Sequence, residues 1–165
     1  MAVITARSTI VANTFASPPI QNPTVFENGR ERCSVAVVGV TSGDSIGSVY
    51  KLARVFSWHR IRSIRMFNAA ITSGAANFGL YRVDADGGAV VLANAYASAV
   101  SIASAQTTGT ELAFSNRAIS AMAQFIWQDA GLTADPHLPY DLCMTLTAAA
   151  AASGSVGFDI GFVID

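Results

Sequence analysis

Residues 47–88 read GSVYKLARVFSWHRIRSIRMFNAAITSGAANFGLYRVDADGG. Three runs rich in β-branched and aromatic residues, at 48–56, 61–68 and 77–83, are separated by turn signals and so read as three extended segments. The tetrapeptide SWHR (57–60) reads as a loop tip, and DADGG (84–88) as a turn in which glycine supplies the positive φ. The stretch holds six of the ten basic residues: Lys51, Arg54, Arg60, Arg62, Arg65 and Arg82. In the second segment Arg60 and Arg62 share a face, as do Ile64 and Met66, while Arg65 points the other way.

Strand signals continue on both sides. Upstream, ERCSVAVVGV (31–40) is a β-branched strand closed by the turn signal TSGD (41–44). Downstream, 89–105 mixes helix-favouring alanine with strand-favouring Val, Tyr and Ile; a strand near 89–93 is expected, and ELAFS (111–115) reads as another short one. Alternation is cleanest near the C-terminus. Leu138, Tyr140, Leu142, Met144 and Leu146 line one face of 138–147, and Val156, Phe158, Ile160, Phe162 and Ile164 one face of 156–164. Both are half-buried strands. The small-residue linker AAAAASGS (148–155) reads as a hairpin loop between them. Gly157 and Gly161 leave the outer face of the last strand nearly flat, open to close approach by another backbone.

One helix is expected near 118–130. Ile119, Met122, Phe125 and Ile126 fall at helical spacing, and Gly131 followed by Leu132 is a stop signal. Asp129 in the last turn opposes the helix dipole. Residues 1–28 contain Pro18, Pro19 and Pro23 and read as an extended arm along a surface. The expected architecture is therefore an arm at 1–30 and a single domain at 31–165. That domain is mainly β, an antiparallel sandwich of jelly-roll or Greek-key type with about eight strands and one short helix.

The chain is 165 residues long, enough to bury about 70% of its unfolded surface. Charged residues make up only 13%, against roughly 25% in a typical soluble domain. So little charge leaves apolar or neutral patches that mark interfaces, and implies an oligomer or a subunit docked on something larger. Nine of the ten cations are arginine, a residue enriched at interfaces where lysine is depleted. Cys33 and Cys143 leave two readings open: one bridge, if their strands are neighbours, or two separate thiols. No apolar run reaches the roughly 18 residues of a membrane span. The N-terminus lacks a basic leader, so the expectation is folding in a cytoplasm.

No motif points to catalysis, and no enzyme activity or cofactor is expected. Gly43 and Gly47 flank a turn without the lysine of a phosphate loop. His59 and His137 have no ligand-spaced partners for a metal. Asp135 and His137 suggest two members of a hydrolytic triad, but nothing selects a serine. Arg54, Arg60, Arg62 and Arg65 beside Phe56 and Trp58 resemble a nucleic-acid surface. A formal net charge of −1 and the single lysine speak against it, and pairing with carboxylates of this chain or a partner is the plainer reading.

Taken together, GSVYKLARV, the GLY–DADGG hairpin and the run leading through DAGL, ADP and PYDL resemble the decoration, or cement, proteins that coat capsids of tailed bacteriophages. The resemblance spans roughly residues 35–162. It implies a jelly-roll sandwich that forms a homodimer or homotrimer on the outer surface of the virion and bridges major capsid subunits, with no catalytic residues to carry over. Neither nucleic acid nor membrane is an expected partner. The alternatives are a carbohydrate-binding or host-attachment module using Trp58, Tyr50 and Tyr81, or a tail or head-completion subunit. Within 47–88, Trp58, His59, Arg60 and Arg62 at the loop tip are the expected partner contacts.

Overall fold

A computed structural model describes residues 7–22 and 30–164. Eight strands build the domain: β1 (Arg30–Val40), β2 (Val49–Phe56), β3 (Arg60–Asn68), β4 (Ala75–Arg82), β5 (Val90–Ser101), β6 (Gln106–Glu111), β7 (Pro139–Ala148) and β8 (Gly154–Ile164). They form two four-stranded sheets, ordered β1-β8-β3-β6 and β2-β7-β4-β5, and every pairing is antiparallel. Apart from β4 to β5, each successive strand moves to the opposite sheet. This is the winding of a jelly-roll sandwich.

Period-2 alternation decides which side chains enter the space between the sheets. Tyr140, Leu142, Met144 and Leu146 of β7 face Val156, Phe158, Ile160 and Phe162 of β8, all buried. Phe78 of β4 meets Phe158 across the gap, ring centres 5.7 Å apart. The expected β4–β5 hairpin is present: a 3-10 turn at Asp84–Asp86 followed by Gly87 and Gly88 at φ 85° and 64°. Gly79 in β4 is forced by packing, because a Cβ there would sit 2.0 Å from the Leu92 carbonyl oxygen of β5.

Several expectations need correction. The 148–155 linker is no hairpin loop, because β7 and β8 lie in different sheets and the linker crosses the sandwich. The strand expected at 111–115 lies earlier, at Gln106–Glu111, and its polar sequence QTTGTE belongs to a sheet edge that carries no apolar alternation. The strand near 89–93 extends to Ser101. The 118–130 helix shrinks to a 3-10 turn at Ile119–Ala121 and one helical turn, α2 (Ile126–Asp129). Tertiary bonds replace helical ones there: Ile126 N–H donates to the His59 carbonyl at 2.9 Å and Trp127 N–H to the Ser57 carbonyl at 3.1 Å. Ile119 and Met122, expected on a buried stripe, are exposed. The stop signal does operate. Gly131 has φ 75°, and the N–H groups of Gly131 and Leu132 bond to the carbonyls of Gln128 and Trp127, a Schellman cap.

Only 7–22 of the arm falls within the described residues, with the rest of 1–28 outside them. This part is not extended. It holds a short helix, α1 (Thr9–Thr14), capped by Ser8, and turns back so that Ile20 N–H and the Asn22 side chain bond to Asn13 and Ile10. Cys33 is exposed and Cys143 buried, both as free thiols in different sheets.

Candidate functional site

The β2–β3 corner collects the residues expected at the loop tip. Phe56 and Trp58 stack with ring centres 4.8 Å apart, and Trp58 lies 6.0 Å from His137. His59 is 5% exposed and stacks on Phe162 at 5.0 Å. Burial holds its imidazole below the usual range, and the neutral Nδ1 accepts the Phe56 N–H at 3.4 Å. Arg60 is 4% exposed, its guanidinium 4.0 Å above the Phe125 ring. Of the four residues expected to touch a partner, His59 and Arg60 are therefore inside. A register shift in β3 between Ile61 and Ser63 turns Arg62 outward, which leaves Arg62 and the half-buried Trp58 as the accessible pair.

Ser57 locks this corner from beneath. It is fully buried; its Oγ donates to Asp135 Oδ1 and accepts the Leu138 N–H at 3.1 Å. Asp135 also accepts the His137 N–H at 2.8 Å, and His137 Nδ1 stands 3.5 Å from its second oxygen. Burial pushes the Asp135 carboxyl up, but the bonds from Ser57 and the His137 backbone outweigh it and hold the group below the usual carboxylate range. The fold thus assembles a serine, an aspartate and a histidine in the wrong order for nucleophilic catalysis. The serine donates its proton to the carboxylate instead of an imidazole base.

The cations of 47–88 are largely used within the chain. Lys51 Nζ reaches Asp84 at 2.5 Å and Asp141 at 3.1 Å, and Arg54 Nε reaches Asp141 at 3.0 Å. A second, deeper pair joins Arg117 to Asp129 at 3.2 Å, both side chains under 5% exposed, with the Tyr96 hydroxyl donating to Asp129. Arg54 and Arg117 thus pair with carboxylates of this chain.

The other distinctive surface is the outer face of the β1-β8-β3-β6 sheet. Val35 and Val37 project from β1, 77% and 69% exposed. Opposite them β8 presents Asp159 and Gly157, and a shallow groove of about 460 Å³ runs between Val37, Phe67, Thr107 and Gly157. A Cβ on Gly157 would meet nothing nearer than 3.9 Å, whereas one on Gly161 would collide with Ser63 Oγ at 2.6 Å. The sequence had flagged these glycines but missed the valines. Their signal was legible: Cys33, Val35 and Val37 occupy positions where a solvent face normally carries polar groups.

Trp58, Tyr50 and Tyr81 do not converge as a sugar platform. Tyr50 bonds to Asp44 at 2.5 Å in the β1–β2 turn, and Tyr81 is buried against Thr145 at 2.6 Å. Fold and surfaces define a jelly-roll sandwich with a valine-bearing outer face and an aromatic corner. No family model and no curated protein matches the chain. Among solved structures it is similar to a chain in the cyanophage Pam1 capsid asymmetric unit, at 12% identity and TM-score 0.55, over 83% of this chain and 86% of that one. A more distant likeness, 8% identical with TM-score 0.41, covers 82% of this chain and 92% of a chain in the acidic stable capsid structure of Helicobacter pylori bacteriophage KHP30.

Proposed function

We propose that the chain is a structural protein of a tailed-bacteriophage virion that binds the outer capsid surface and bridges major capsid subunits, acting by binding and not by catalysis. The observation that carries this reading is the Pam1 likeness, which runs over nearly the whole of both chains. The counterpart is thus a small capsid chain in its own right, not a domain inserted in a larger one. The low charge and the exposed valine face supply the interface such a role requires.

A protein of this kind stabilises a particle by binding its assembled state better than the alternatives, and the gain equals that difference in affinity. Self-association into a dimer or trimer multiplies weak contacts through effective concentration. Quantitative mass spectrometry of purified particles tests the reading. Many copies per head, lost when the outer surface is stripped and regained on adding back the protein, are expected. A handful of copies at one vertex supports a tail or head-completion role instead. The stacked Phe56–Trp58 corner favours a glycan-binding module as the second reading, and specific retention on a glycan array would establish it.

A further inference from the structure

The four edge strands of the sandwich are treated very differently. An open edge is a row of unpaired N–H and C=O groups, and proteins blunt it by shortness, bulges, charges or prolines. Edge β6 has six residues, with Gly109 at φ 80°. Edge β5 shifts register against β4 three times and holds Ala99 at φ 50°. Edge β2 carries a register shift and the charged Lys51 and Arg54. Edge β1 has none of these beyond its first three residues. It pairs with β8 through eleven successive residues without a shift, and residues 33–40 (CSVAVVGV) contain neither charge nor proline.

The strand is also under-covered on both sides. Val35 and Val37 point outward into solvent, and Ser34, Ala36 and Val38 on the inner side are only half-buried, whereas the inward residues Val156, Phe158 and Ile160 of neighbouring β8 are buried. Among the described residues no strand pairs with the free edge of β1.

We propose that β1 pairs antiparallel with β1 of a second copy about a two-fold axis through Ala36, joining two β1-β8-β3-β6 sheets into one. This register follows from the side chains. It sets Val35 opposite the partner's Val37 and Val37 opposite the partner's Val35, so that the exposed valines cover each other. Ser34 faces Val38, Cys33 faces Gly39, Arg32 faces Val40 at the last position of the paired segment, and Arg30 and Glu31 fall beyond it, where their charges stay in water. A register that overlaps the charged ends with the valines would lose both advantages. The contact is isologous and closes as a dimer. The two Cys33 residues would lie about 20 Å apart along the ribbon, at 3.4 Å per residue, so they stay unbridged.

The proposal deepens the self-association suggested above and is separable from capsid binding, because its test uses the isolated chain. Sedimentation of the full chain should give a dimer. Val35→Lys with Val37→Lys should raise Kd by about tenfold or more, since like charges then face each other, with the melting curve of the monomer intact because both side chains are exposed. On a Cys33→Ser background, Val35→Cys combined with Val37→Cys should form an intermolecular disulfide under mild oxidation, while Val35→Cys alone should not, its sulfurs being two positions out of register. A chain that stays monomeric overturns both the self-association and this edge. A dimer indifferent to the lysines, or one that links through Val35→Cys alone, overturns the edge or its register and leaves the capsid role untouched. A dimer of this form that never binds particles would overturn the capsid role alone.

Discussion

Asp129 ends the α2 turn with its carboxyl buried against Arg117 and the Tyr96 hydroxyl. Burial pushes that carboxyl up to about 6, against the opposing pull of Arg117 and Tyr96. The folded state therefore holds the proton more tightly than the unfolded chain does, whose aspartates titrate near about 3.9. The sign follows: this group's contribution to stability is full below about pH 4 and is lost as pH rises through about 6. Denaturation midpoints should show that fall, and Asp129→Asn should flatten it. Arg117→Met leaves a buried carboxylate alone and should cost about 3–5 kcal/mol at neutral pH by chemical denaturation. In the sequence Asp129 looks like a misplaced charge at a helix end. Only the fold gives it partners, bringing up Arg117 from the segment after β6 and the Tyr96 hydroxyl from β5.

At the β2–β3 corner the unit is an element held by another element. The backbone of Ile126 and Trp127 pairs with the carbonyls of His59 and Ser57, and Ser57 Oγ ties the run before β7 through Asp135 and Leu138. Ser57→Ala removes one donor from the carboxylate and leaves the Leu138 N–H without its acceptor. A loss of about 1–3 kcal/mol is expected, together with a shift in Trp58 and Trp127 fluorescence as the corner loosens. The strands at 48–56, 61–68 and 77–83 were legible within a residue or two, because their apolar runs are bounded by turn residues. The helix at 118–130 was not. Helical spacing of Ile119, Met122 and Phe125 is a local pattern, and backbone bonds to a sequence-distant corner overrode it.

At the scale of the whole molecule, β1 sits at the end of one sheet with a shallow groove beside it, and the arm lies ahead of β1 in the chain. If the arm adds a second attachment to that of the sandwich, deleting residues 1–28 should lower occupancy on particles several-fold while leaving the melting temperature of the domain unchanged. Unchanged occupancy would assign attachment to the sandwich alone. Three of the four sheet edges carry devices against pairing, and the one that lacks them also lacks cover on its inner face. That coincidence could not be read from residues 31–40, since it depends on which strands end up at the edges.

The sequence by itself determined the class of the fold and most of its strands, because alternation of apolar and polar side chains is a local property written at period two. It also determined that this chain would expose neutral surface, since there are too few charges to cover it. The tertiary structure decided the rest. It placed consecutive strands in opposite sheets, turned an apparent hairpin loop into a crossover, buried His59 and Arg60 while leaving Trp58 and Arg62 accessible, and set Ser57 against Asp135. Among the described residues it also left β1 with an open edge. Each of these depends on contacts between residues far apart in the chain, and their geometry exists only once the two sheets have closed on a common core.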